Sequence, residues 1–141
     1  MKFLLDTCVI SELTRKQPAR KVVNWISSQD ELLLFLSVIT LGEIEKGIGK
    51  LPNGHKRQSL RQWLTNDLPR RFAGRIVPID AETALRWGEI SADAETKGRP
   101  VPVLDGLMAA SALVHGLILV TRNTADVAGT SVPVLNPWID N

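Results

Sequence analysis

The sequence predicts an α/β fold: a three-layer α/β/α sandwich around a mainly parallel central sheet. Three observations predict it. Short apolar runs alternate with helix-period stretches from Phe3 to Leu135, the rhythm of strand–helix–strand units. The inner runs, residues 32–36 and 117–120, are apolar without alternation, as in strands covered on both faces. The chain has 141 residues, 44% hydrophobic and 23% charged, which suits one globular domain over residues 1–141 with a single sizeable core.

Each element has a local reason. Residues 3–5 (Phe-Leu-Leu) read as a short buried strand, and residues 9–15 as a short helix. Pro18 suits the start of a second helix, with Ala19, Val22, Val23 and Ile26 on one face. Residues 32–36 form the second strand. Ser37 offers an N-cap for a helix through about Lys50, with Leu41, Ile44, Ile48 and Leu51 as its apolar face. Leu51-Pro52-Asn53-Gly54 is a turn. Residues 56–68 form an amphipathic helix carrying Leu60, Trp63, Leu64 and Leu68. Residues 75–79 read as a strand, and Pro78 assigns it to an edge or a strand end. Residues 81–97 are helical up to Gly98-Arg99-Pro100. Residues 104–115 form a helix with Ala109, Ala112 and Gly116 on a small-residue face. Residues 117–121 and 132–135 are the last strands.

Composition excludes several chemistries. One cysteine, Cys8, excludes an internal disulfide framework and a multi-cysteine zinc site, and two scattered histidines, His55 and His115, exclude a His-rich metal site. The single cysteine suits a reducing cytoplasm. The early acid Asp6 interrupts any signal-peptide apolar region. The strongest membrane-like stretch, residues 106–120, is too short to span a bilayer. The expectation is a soluble cytoplasmic protein with no membrane association.

In parallel sheets, sites form where loops leave the carboxyl ends of the strands. Asp6 follows the first strand, Asp105 opens a helix, Glu43 lies early on the helix after the second strand, and Asp126 lies in the loop after the strand at 117–120. Each acid alone has a local role open to it, as a helix cap or a solvated side chain. Together they bring four carboxylates to one sheet edge. Repulsion and desolvation oppose such a gathering unless a hard divalent cation sits between them. Mg²⁺ or Mn²⁺ would then activate water against a phosphodiester. Thr7, Ser37, Thr40 and Thr121 lie beside the acids and can orient carboxylates or cap helices. Arg122 can contact the scissile phosphate or pair with a site acid.

The net charge of +2 hides a basic middle: eight Lys and Arg lie between Lys46 and Arg75, with Asp67 the sole acid among them. Lys46, Lys50, Arg57 and Arg61 are the expected phosphate-attracting surface, with a solvated helix face as the alternative. Trp25, Trp63, Trp87 and Trp138 are read mainly as packing residues.

Four stretches carry a resemblance: Leu4-Leu5-Asp6-Thr7, then Leu36-Ser37-Val38-Ile39-Thr40-Leu41-Gly42-Glu43-Ile44, then Leu104-Asp105-Gly106-Leu107-Met108-Ala109-Ala110, then Val120-Thr121-Arg122-Asn123-Thr124-Ala125-Asp126. Asn136-Pro137-Trp138 near the end adds to them. In order and spacing, over essentially the whole chain, the sequence resembles the PIN-domain family, and within it the VapC-like and FitB-like toxins of bacterial type II toxin–antitoxin pairs. The resemblance implies an Mg²⁺- or Mn²⁺-dependent ribonuclease, a homodimer, held inactive in a hetero-oligomer by a cognate antitoxin, with promoter DNA bound only through that antitoxin. It places Asp6, Glu43 and Asp105 in the metal site and draws a fourth member from the Thr-Arg-Asx loop. Asp126 is assigned as that charged member, and Asn123, which offers a carbonyl oxygen, is the alternative. Cys8 stands where the family often has Asn or Ser.

Two other classes fit less well. A catalytically silent binding module, a co-repressor with this fold, would not need the intact acidic set. A phospho-receiver domain needs a second acid after the first strand and a Lys after a late one, where Arg122 stands. A haloacid-type phosphatase needs a second Asp two residues after Asp6, and Cys8 is there.

Overall fold

In a computed structural model, which describes residues 1–140, five parallel strands lie in the order β3–β2–β1–β4–β5. They are β1 (Phe3–Leu5), β2 (Leu34–Ser37), β3 (Ile76–Val77), β4 (Ile118–Val120) and β5 (Val134–Leu135). β1 is the hub: Phe3 registers with Leu34 on one side and Ile118 on the other. The chain moves outward from β1 through β2 to β3, then returns to β4 on the opposite side. The direction therefore reverses between β1 and β4, the switch point at which open α/β sheets bind ligands.

Strand alternation sorts the core into two layers. Phe3, Leu5, Leu34, Leu36 and Val120 face one side, with Val9, Ile10, Val22, Trp25, Leu68 and Phe72. Leu4, Val77 and Leu119 face the other, against Met108, Ala109 and Ala112. Seven helices, α1 (Thr7–Leu13), α2 (Arg20–Ser27), α3 (Val38–Gly49), α4 (His55–Gln62), α5 (Leu68–Arg71), α6 (Ala81–Thr96) and α7 (Val103–His115), supply these layers. The small face of α7 lets it lie close on the sheet, and Gly116 ends it in the left-handed conformation at φ 66°.

Several expectations hold in detail. The Ser37 hydroxyl accepts the Ile39 N–H at 3.1 Å and starts α3. β3 is an edge strand and stops at Val77, before Pro78. Two elements differ. The apolar run at 32–36 is a strand only from Leu34, because Asp30 caps a 3-10 turn over Glu31–Leu33 and leaves Leu32 68% exposed. The helix expected at 56–68 runs on as α5 through a π turn, Trp63–Asp67. Pro69 explains the turn: it has no N–H and its ring crowds the preceding turn. The Leu68 N–H reaches back five residues to the Trp63 carbonyl, the widened geometry that relieves that crowding. No described helix is long and apolar enough to cross a membrane.

Candidate active site

Asp6 leaves the end of β1 directly opposite Thr121, which leaves β4. The Asp6 N–H donates to the Val120 carbonyl at 2.9 Å, so the ladder continues up to the acid. Asp6 as a residue is 9% exposed. Its Oδ1 accepts the Thr7 N–H at 2.8 Å, capping α1, and its Oδ2 accepts the Thr121 hydroxyl at 2.7 Å. Thr121 Oγ1 in turn accepts the Asn123 N–H at 3.0 Å. One buried threonine thus fixes both the carboxylate and the start of the next loop.

Glu43 lies on α3. The Thr7 hydroxyl donates to its Oε1 at 2.6 Å and lies 3.0 Å from the buried Thr40 Oγ1. Thr7 therefore links the acid of β1 to the acid of α3. Ser37 stays in its capping role beneath them; it sets where α3 begins and hence where Glu43 stands.

Asp105 sits half-buried in the first turn of α7, two residues after the helix starts. Its carboxyl is pushed up from an ordinary 3.8 to about 6, first by burial and then by the charges of Asp6, Asp126 and Glu43. All four predicted acids are therefore within electrostatic reach of one another at the switch point. Asp126 is exposed in the 3-10 turn Thr124–Val127, with its N–H on the Asn123 carbonyl at 3.1 Å. Asn123 caps that turn with its backbone and leaves its side chain exposed.

Cys8 is partly buried beside this network. Its Sγ lies 3.5 Å from Asp6 Oδ2 and 3.8 Å from Thr121 Oγ1. Burial, and then the Asp6 charge, push the thiol up to about 11. It stays protonated at neutral pH and serves as a weak donor to Asp6, not as a nucleophile.

As the side chains stand, no three of the described His, Cys, Asp and Glu groups converge on one ion-binding point. The donor chemistry fits a hard divalent cation: four carboxylates, no imidazole, and a thiol that keeps its proton.

The basic surface is narrower than the charge count suggests. Lys46 is exposed on α3 and Lys50 is exposed at its C-cap. Arg61 pairs with Glu45 at 2.5 Å, and Arg57 donates to Asn53 Oδ1 at 2.8 Å, bracing the turn before α4. Arg71 pairs with Glu31 at 2.5 Å, and Arg75 donates to the Glu31 and Leu34 carbonyls. Acids and carbonyls from outside the stretch thus occupy three of its eight cations, and Asn53 within it holds a fourth. Sequence reasoning also missed a cleft of about 280 Å³ beside Glu43, lined by Arg15, Ile44, Ile48, Lys56, Leu60 and Trp63 among others. Helix periodicity marked Ile44, Ile48 and Trp63 only as apolar face. Arg122 forms no ion pair among the described residues; its guanidinium lies 5.2 Å from the Trp138 ring centre.

The chain is similar to known proteins along nearly its whole length. The PIN domain model matches residues 3–127. Toxin FitB of Neisseria gonorrhoeae is 40% identical over 137 residues, covering 97% of this chain and 99% of the relative. VapC ribonuclease Y4jK of Sinorhizobium fredii is 35% identical over 135 residues, 96% of each chain. The structure of FitAB bound to an IR36 DNA fragment contains a chain that overlays at a TM-score of 0.91, with 38% identity over 96% of this chain and 95% of that one. With a matching family model, relatives of this identity and an acid set at the switch point of the same fold, the chain belongs to the PIN-domain family.

Proposed function

We propose that this chain is a Mg²⁺- or Mn²⁺-dependent endoribonuclease and the toxin of a toxin–antitoxin pair. The observation that carries the reading is the set of four carboxylates at the switch point: burial first, and then the charges of the other three, raise Asp105 to about 6. Acids are not gathered in this way for stability, since each ionised neighbour opposes the others. The kinship with a toxin and a ribonuclease gives the chemistry its substrate class.

Asp6 and Asp105 would hold the ion most directly, with Glu43 and Asp126 taking its waters or a second ion. The ion, when bound, supplies an activated water and offsets charge on the phosphoryl group. The chain's own residues do the rest. Thr121 and Thr7 keep Asp6 and Glu43 aimed through their hydroxyl hydrogen bonds. A carboxylate oxygen of Glu43 or Asp126 takes the proton of the attacking water. Lys46 and Lys50 attract the RNA backbone.

A cognate antitoxin, binding the toxin and carrying the complex to promoter DNA, is proposed on the likeness to Toxin FitB and to the DNA-bound FitAB assembly. A homodimer is proposed on the same kinship; exposed Val38, Val103 and Leu104 beside the site give it an apolar face. The proposed location is the cytoplasm. The deciding experiment incubates the purified protein with end-labelled RNA, with Mg²⁺ or with EDTA. Cleavage with Mg²⁺ alone, lost in Asp6→Asn and in Asp105→Asn, is the expected result. Full cleavage by either variant overturns the assignment. A wild type that binds RNA but neither cuts it nor binds a divalent ion in calorimetry is the silent co-repressor.

A further inference from the structure

We infer that Trp138 is a positioning residue that holds Arg122 beside the acid cluster as a clamp for a phosphodiester of the substrate. The inference rests on the nuclease reading above and names a part of it.

Arg122 is pinned at its backbone on both sides. Thr121 before it is bonded to Asp6 and, through its N–H, to the Leu135 carbonyl at 3.0 Å. The Arg122 N–H faces the Cys8 sulfur. The Asn123 N–H returns to Thr121. The cation therefore starts one residue from the contact to Asp6, with its side chain exposed. A long, mobile guanidinium ordinarily settles on a carboxylate within its reach. Among the described residues it pairs with none and lies over Trp138 instead.

Trp138 is itself built in. Its N–H donates to Asn136 Oδ1 at 2.9 Å, the Asn136 N–H donates to Asp140 Oδ2 at 2.9 Å, and the Asp140 N–H donates to the Asn136 carbonyl at 2.8 Å. The ring also packs on the core layer that holds Phe3 and Leu5. β4 and β5 are neighbours and parallel, so the loop bearing Arg122 and the turn bearing Trp138 leave the same sheet edge side by side. The ring attracts the cation through its quadrupole. It also leaves the N–H fork of the guanidinium open, the geometry that takes phosphate oxygens two at a time. A site of four acids repels its polyanionic substrate, and a cation kept off those acids answers that repulsion. Holding it in place beforehand reduces the side-chain freedom lost on binding.

The test uses the full chain with Mg²⁺ on a fluorescent single-stranded RNA, together with salt-dependent RNA binding in EDTA. Arg122→Gln is expected to raise KM about tenfold with kcat within about twofold. It should also flatten the log–log salt slope by about 0.7, one phosphate contact on single-stranded RNA. Trp138→Leu should show the same KM rise, Trp138→Phe should recover most of it, and the Arg122→Gln/Trp138→Leu double variant should be no worse than Arg122→Gln. A wild-type KM in Trp138→Leu, equal defects in the Phe and Leu variants, or additive defects in the double variant overturns the inference. Wild-type cleavage alongside an unaffected Arg122→Gln overturns it while leaving the nuclease reading intact. A wild type that cuts no RNA overturns both.

Discussion

Replacing Asp105 by Asn separates the cost of gathering the acids from their use. The carboxyl moves from 3.8 to about 6 through burial and then three neighbouring charges. At about 1.4 kcal/mol per tenfold change in ionisation constant, that opposes the charged form by roughly 3 kcal/mol. Asp105 is only half-buried, and solvent screening reduces the figure to about 1–2 kcal/mol. The unfolded chain releases this proton near 3.8 and the folded chain near 6. Between those values folding takes up a proton, so stability falls as pH rises, and the loss is complete by about pH 7. Asparagine removes the charge with little change in shape. In EDTA at pH 8, Asp105→Asn is expected to melt roughly 3–8 °C above wild type by scanning calorimetry, with the two converging near about pH 4. Added Mg²⁺ should narrow or reverse the gap, because it stabilises only the chain that binds it. An asparagine variant no more stable than wild type in EDTA at pH 8 refutes the electrostatic argument, whatever its activity.

Three further outcomes are expected. Thr121→Val leaves the Asp6 carboxylate and the Asn123 N–H each short of a partner. It should cost about 1–3 kcal/mol in chemical denaturation and lower cleavage, with Thr121→Ser restoring both. Gly106→Ala places a methyl 3.1 Å from Trp87 Cδ1 and should destabilise the α6–α7 contact by about 1–2 kcal/mol. Gly88→Ala, on open space in α6, should stabilise by about 0.4–1 kcal/mol in the same assay. Cys8, with its thiol raised to about 11, should react with iodoacetamide at pH 8 at least about tenfold more slowly than free cysteine, read by mass spectrometry.

Much of the site was legible because its signals are local. Asp6 and Asp105 stand out as acids at the ends of apolar runs, Ser37 as a cap, and Pro78 as a strand terminator. The parallel order then places their loops on one edge without further information. What escaped depends on partners far along the chain. The apolar run at 32–36 does not say where its neighbour ends, and β1 offers its first register partner only at Leu34. Pro69 marks a disturbance, but not that a π turn would absorb it. The ion pairs Arg61–Glu45 and Arg71–Glu31 draw on acids outside the basic stretch, so a count of charges overstates the field. Arg122 meets Trp138 only because β5 docks beside β4.

The outer strands β3 and β5 are two residues long, whereas β2, β1 and β4 in the centre have three or four. Amide exchange should therefore proceed by fraying from both margins, with the middle trio opening last. Asp6 and Thr121 belong to that trio, joined by the Asp6 N–H to Val120, while Arg122's aromatic support stands beyond the fraying margin at β5. Asp6 is thus tied to the slowest-exchanging unit of the molecule and the clamp to one of its fastest. A margin that opens would release the grip on RNA without dismantling the centre that cuts it.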